Sequence, residues 1–203
     1  MRLDRKTEFG IQWHITTKCN KTCAPCYMKH SEYFRKEKDG ELGLEEMKNI
    51  VDNLVSFCQA TDTKPSIAFT GGDPLLKPEF FKILEYVANI AKKQSMPFSL
   101  RVLGNPDLLT PLIIEDLERF GIEKYQMSID GLQETHDIFR EKGSFDDTIR
   151  AYDLFKHSKI TTLCMFSLNK KNASDLKDVI RIARDHQIGL FSFARIVPFK
   201  AIK

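Results

Sequence analysis

Six short runs rich in β-formers alternate with amphipathic helical stripes along almost the whole chain, and this alternation restricts the fold more than any other feature. The runs are IQWHIT (11–16), SIAFT (66–70), FSLRVLG (98–104), KYQMSID (124–130), TTLCMFSLN (161–169) and GLFSFARIV (189–197). Between them apolar residues recur every three to four positions, as helices require: Leu44, Met47, Val51, Leu54 and Cys58 in the first stripe, Phe81, Leu84, Ala88 and Ala91 in the second. Thr110-Pro111 supplies a cap and a first helical residue for a third helix ending near Gly121. A fourth is expected over about Phe145–His157, and Asn172 caps a fifth with Leu176, Val179, Ile180 and Ala183 inward. No linker or low-complexity stretch interrupts the pattern, so one domain over 1–203 is expected.

Strict alternation of this kind implies an α/β fold with parallel strands and right-handed crossovers. An open doubly wound sheet and a partial (β/α) barrel both satisfy it. In either, chemistry gathers beyond the C-terminal ends of the strands. The polar clusters of this sequence fall at that rim. A cysteine loop follows the first run, Gly71-Gly72-Asp73 the second and Gly104-Asn105 the third; Ser128 and Asp130 end the fourth, and Asn169 ends the fifth.

The cysteine loop, CNKTCAPCYM (19–28), holds three of the five cysteines. The charged start Met1–Lys6 lacks the apolar core of a signal peptide, and no apolar run reaches membrane-spanning length. A cytoplasmic protein with no membrane partner is expected, in which thiols stay reduced, so disulfides are a poor account of an odd, crowded set. The net charge of +3 is too small to imply a nucleic-acid partner. Two metal readings stay open on spacing. Cys19, Cys23, Cys26 and His30 form an acceptable Cys₃His zinc set. Three thiolates can instead hold an iron–sulfur cluster with one iron left without a protein ligand. Cys58 and Cys164 lie within apolar stretches and read as small buried hydrophobes. The segment SEYFRKEKDGE (31–41) reads as a solvent-facing loop.

Cys19-x₃-Cys23-x₂-Cys26 after a first strand, with Gly71-Gly72-Asp73-Pro74 after a second, resembles the radical S-adenosylmethionine (radical SAM) enzymes. SIDG (128–131), HDIFREKGSFDD (136–147) and ARIVP (194–198) resemble the branch with C-terminal SPASM or Twitch cluster domains, which includes peptide-maturing enzymes. The resemblance covers nearly the whole chain and implies a partial (β/α)₆ TIM-like barrel. It implies that Cys19, Cys23 and Cys26 hold three irons of a [4Fe–4S] cluster, with SAM chelating the fourth. An electron from an external donor such as flavodoxin or ferredoxin would then cleave SAM to a 5′-deoxyadenosyl radical that takes hydrogen from a substrate.

The same resemblance assigns binding roles. Gly71, Gly72, Asp73 and Pro74 would receive the methionyl ammonium, the missing side chain of Gly72 leaving room for it. The family pattern has Glu before Pro where this chain has Asp73. Ser128 and Asp130 match positions that bind the ribose or carboxylate of SAM, and Asn169 and Arg195 are further candidates. Arg140 either forks the SAM carboxylate or stands as a solvated loop arginine. The aromatic residue of the cysteine motif is Tyr27, one place after the third cysteine. Pro25, in the usual aromatic position, lacks an N–H and can only accept from adenine. His14 reads as a structural histidine.

The expected substrate is a peptide or protein side chain. A small molecule such as a nucleotide or a tetrapyrrole precursor is the alternative within the class, and a non-catalytic zinc module the alternative outside it. No cysteine follows Cys164, so an auxiliary-cluster domain is expected to lie outside this chain, which reads as the core of a longer enzyme.

Overall fold

A computed structural model describes residues 7–30 and 40–196; the His30 side chain, the stretch 31–39 and Val197-Pro198 of the ARIVP motif lie outside the described residues. The strands are β1 (Glu8–Thr16), β2 (Lys64–Gly71), β3 (Ser99–Leu103), β4 (Ile122–Ser128), β5 (Thr161–Leu168) and β6 (Leu190–Arg195). The helices are α1 (Tyr27–His30), α2 (Leu44–Ala60), α3 (Phe80–Lys93), α4 (Pro111–Arg119), α5 (Gln133–Arg140), α6 (Ser144–Leu154) and α7 (Leu176–Asp185).

All strand pairs are parallel, and the spatial order is β1-β2-β3-β4-β5-β6. A doubly wound sheet reverses its order at a switch point. Here there is no reversal, and right-handed crossovers between successive neighbours place the helices on one face. The other face curls inward. Among the described residues β1 pairs only with β2 and β6 only with β5, so the barrel stays open. The α/β partial (β/α)₆ barrel expected from the sequence is the observed fold.

The core lies between the sheet and the helical layer. From the sheet come Ile67, Phe69, Leu100, Val102, Tyr125, Met127, Cys164 and Phe166; from α2, Met47, Val51, Leu54, Val55 and Cys58. Each fully buried aliphatic or aromatic side chain contributes roughly 1.5–3 kcal/mol by leaving water. Cys58 and Cys164 are both fully buried, and burial pushes the Cys164 thiol up to about 12, which keeps it inert.

Two local expectations need correction, and one helix is new. In α3 the fully buried face is Phe80, Ile83, Leu84, Val87 and Ile90; of the expected stripe Leu84 lies on it, while Phe81 and Ala91 are only partly buried against its flank. In α7, Val179 and Ala183 are buried but Ile180 is exposed. Helix α5 was not visible as a helix. Its sequence QETHDIFR has no apolar stripe; Ile138 is 71% exposed, and the buried residue is His136. What fixes α5 is polar. His136 Nδ1 accepts from Asp130 N at 3.0 Å, and the Asp137 carboxylate accepts from Gly143 N and Phe145 N at 2.7 and 2.9 Å, satisfying the start of α6.

Candidate functional site

The C-terminal strand ends surround a cavity of about 710 Å³, within the range of small-molecule sites. Its wall includes Cys19, Cys23 and Cys26 from the loop after β1, Gly71 and Gly72 after β2, Asn105 after β3, and Gln126 and Ser128 from β4. The cysteine loop, Gly71-Gly72, Gly104-Asn105 and Ser128, read from the sequence as rim residues, share this one concave wall. Tyr27, Pro25, Arg140 and Ser167 also line it.

The cysteine loop is held from three directions. On one side, Glu41 Oε1 accepts from Thr16 Oγ1 and Thr17 N at 2.8 and 2.6 Å, while Lys77 Nζ donates to Glu41 Oε2 at 3.2 Å. Burial works against the Glu41 charge, but these contacts outweigh it and hold the carboxyl below its ordinary range. Beneath, Gly72 N donates to Thr16 O at 2.9 Å and Asp73 N to Lys18 O at 2.8 Å. On the far side, Ala24 N donates to Phe139 O at 2.9 Å and Thr22 N to Glu141 Oε1 at 2.6 Å. Glu141 adopts a positive φ of 112°, a costly conformation for a residue with a side chain.

In a [4Fe–4S] cube each thiolate binds a different iron, so three separate sulfurs along one cavity wall fit that group. Cys23 is buried; desolvation raises its thiol pKa, helped by Cys19 and Cys26 and opposed by Arg140. Asn105, which sequence reasoning left on the rim without a role, donates from Nδ2 to Cys19 Sγ at 3.3 Å.

The missing side chains of the glycines serve the packing of the cysteine loop. A Cβ on Gly72 would stand 2.0 Å from Lys18 O and 2.9 Å from Cys19 Cβ, and one on Gly71 would stand 2.3 Å from Thr16 O at a φ of +140°. The missing side chains admit the backbone of the cysteine loop rather than leaving space for a ligand. Gly71, Gly72, Ser128 and Tyr27 line the cavity; Asp73, Pro74, Asp130, Asn169 and Arg195 do not.

Four of those five have a structural reason for their position. Asp73 is fully buried, caps the 3₁₀ turn Pro74–Leu76 by accepting from Leu75 N at 3.0 Å, and accepts from Asn105 N at 3.3 Å. Burial chiefly raises its pKa to about 6, while those bonds oppose the rise. Pro74 is the buried first residue of that turn. Asp130 is 1% exposed, accepting from Ser167 N at 2.7 Å and from Arg140 Nε at 2.6 Å. Asn169 closes a local turn, accepting from Lys171 N and donating to Ser167 O. Arg195 is exposed at the end of edge strand β6.

Arg140 is no solvated loop arginine. It ends α5, is held by Asp130, and lies with Nη1 4.0 Å from Cys23 Sγ. Asn172 caps no helix with its side chain; it bridges Asp130 O, Ser167 O and Asn169 N at 2.9, 3.0 and 2.8 Å. His14 is a structural histidine in part: burial lowers its pKa, and Tyr27 Oη lies 3.2 Å from its Nε2.

The site is a three-thiol loop at the rim of an open parallel barrel, beside a cavity of small-molecule size. Residues 13–183 match the model of the Radical SAM superfamily, and the chain belongs to that superfamily, whose chemistry uses a [4Fe–4S] cluster and SAM. It is 28% identical to the Fe-coproporphyrin III synthase of Methanosarcina barkeri over 92% of this chain and 44% of that protein. It is 29% identical to the antilisterial bacteriocin subtilosin biosynthesis protein AlbA of Bacillus subtilis over 95% of this chain and 41% of that protein. The fold matches that of anSMEcpe with bound AdoMet and Kp18Cys peptide, with a TM-score of 0.78, 19% identity, and coverage of 97% of this chain and 54% of that one. The chain spans about half the length of the curated relatives it matches. Among the described residues no helix is long and apolar enough to cross a membrane.

Proposed function

We propose that this chain is the SAM-cleaving core of a radical SAM enzyme acting on a tetrapyrrole. The observation that carries the core assignment is the placement of Cys19, Cys23 and Cys26 on one wall of a cavity that also exposes Ser128 and Tyr27. In this reading the three thiolates hold the cluster. The Gly71-Gly72 approach, through Thr16 and Lys18, fixes the loop that presents them. Ser128 and Tyr27 offer hydroxyls to the polar groups of SAM, and Pro25 offers its carbonyl. When bound, the cluster and SAM supply a one-electron cleavage that yields a carbon radical. The barrel wall around the cavity keeps water from that radical.

The relatives support the tetrapyrrole, which the sequence offered as its alternative, ahead of the expected peptide. Fe-coproporphyrin III synthase and several AdoMet-dependent heme synthases match most of this chain. The peptide reading remains second, supported by AlbA and by the peptide-bound anSMEcpe structure. The test is SAM cleavage by the anaerobically reconstituted protein, within the longest native chain that carries this core. A tetrapyrrole that accelerates cleavage and is itself altered supports the proposal. Acceleration by peptide alone would replace it with the second reading.

A further inference from the structure

Three consecutive residues at the end of α5 meet three consecutive residues of the cysteine loop in antiparallel order. Phe139 O accepts from Ala24 N, Arg140 Nη1 faces Cys23 Sγ, and the Glu141 carboxylate accepts from Thr22 N. The outer two contacts are ordinary hydrogen bonds and fix the register. The middle one places the Nη edge of a guanidinium 4.0 Å from a sulfur.

The guanidinium is not free to choose that position. Asp130, itself buried, takes the Nε edge at 2.6 Å and is in turn locked by Ser167 N. The Nη edge is therefore turned toward Cys23. Of the other cations lining the cavity, Lys21 is paired with Asp107 at 2.6 Å and Lys29 donates to Thr22 O at 3.1 Å. Arg140's counter-charge lies on the opposite edge of the guanidinium from the sulfur, so its positive end is presented to Cys23. Cys23 is buried and the Arg140 side chain is only 21% exposed, so the charge acts more strongly than it would in bulk solvent.

We propose that Asp130 and Arg140 are a positioning pair that tunes the metal cluster: Asp130 aims Arg140, and the Arg140 charge at Cys23 Sγ makes the cluster easier to reduce. A positive charge beside a cluster stabilises the state that has gained an electron, and charge and hydrogen bonds at the sulfurs are among the determinants of its potential. The inference rests on the reading that Cys23 is a cluster ligand.

The test is a midpoint potential, measured without SAM by EPR-monitored reductive titration of reconstituted protein, together with iron and sulfide content. Wild type, Arg140→Gln and Arg140→Lys are compared. Arg140→Gln is expected to titrate at a more negative potential than wild type. Arg140→Lys, which keeps the charge but loses the fork, is expected to fall between them. If Arg140→Gln assembles a reduced amount of cluster, the position of Arg140→Lys relative to wild type decides. A full cluster in Arg140→Gln with a wild-type midpoint overturns the inference, as does Arg140→Lys with a midpoint as low as that of Arg140→Gln. Wild-type protein that assembles no cluster at all contradicts the ligand assignment instead, so the two failures are distinct.

Discussion

The carbonyl oxygen of Lys18 lies where the Cβ of residue 72 would be, 2.0 Å from that position, so residue 72 must be glycine for the cysteine loop to keep its path. The adjacent bonds Gly72 N to Thr16 O and Asp73 N to Lys18 O leave neither backbone room to withdraw. Gly72→Ala is expected to lower stability by about 1–3 kcal/mol through overpacking, and to reduce iron incorporation. Thermal unfolding of the metal-free protein and iron counting after reconstitution check this. Normal iron content with only SAM affinity lost would return Gly72 to the role of ligand-space residue.

Asp73 and His136 give opposing pH dependences. The folded Asp73 pKa of about 6 exceeds its ordinary 3.8, so the folded state holds a proton that the unfolded chain has released, and stability from this group falls as pH rises through that window. His136 is lowered to about 4 from 6.5, mainly by burial with Arg140 adding to it, so its share of stability is present above 6.5 and is lost as pH falls toward 4. Each contributes on the order of 3 kcal/mol at about 1.4 kcal/mol per pKa unit. Between pH 4 and 6 the two nearly cancel. Denaturant unfolding of Asp73→Asn is expected to show stability rising with pH over that range more steeply than in wild type. Parallel profiles would show that Asp73 does not titrate near 6.

Iron content separates ligand cysteines from core cysteines. Cys19→Ala, Cys23→Ala and Cys26→Ala are each expected to lose the cluster on reconstitution. Cys58→Ala and Cys164→Ala, altered in the buried core, are expected to keep it while melting at lower temperature. Equal iron loss from Cys58→Ala and Cys23→Ala would remove the assignment.

Phe193 is 58% exposed on β6, an edge strand with unpaired backbone groups among the described residues. Exposed apolar edges favour association of chains. Phe193→Lys is expected to reduce self-association in sedimentation without changing iron content. Unchanged association would place the sticky surface elsewhere.

The alternation of β-runs and helical stripes made the parallel strands and the rim that carries the site legible, because burial sets the periodicity, while the choice of a barrel over a doubly wound sheet came from the family resemblance. The cysteine motif was legible because its ligands are close in sequence. What sequence could not show was which carboxylates face the cavity. Asp73 and Asp130 stand at the rim, yet both turn into the scaffold, toward Leu75 and Asn105 and toward Ser167 and Arg140. Those partners come from distant segments that only folding brings together. Helix α5 was hidden for a related reason: buried polar bonds hold it, and these leave no hydrophobic period to read.

The central claim is that the three-cysteine loop and its cavity together cleave SAM. The most direct measurement is 5′-deoxyadenosine formed from SAM under a strong chemical reductant, by anaerobically reconstituted wild type and by Cys23→Ala at matched protein concentration. Wild type is expected to form 5′-deoxyadenosine even without substrate, slowly, and Cys23→Ala none above the reductant control. A wild-type protein that stays colourless, retains one tightly bound zinc and leaves SAM intact would contradict the account.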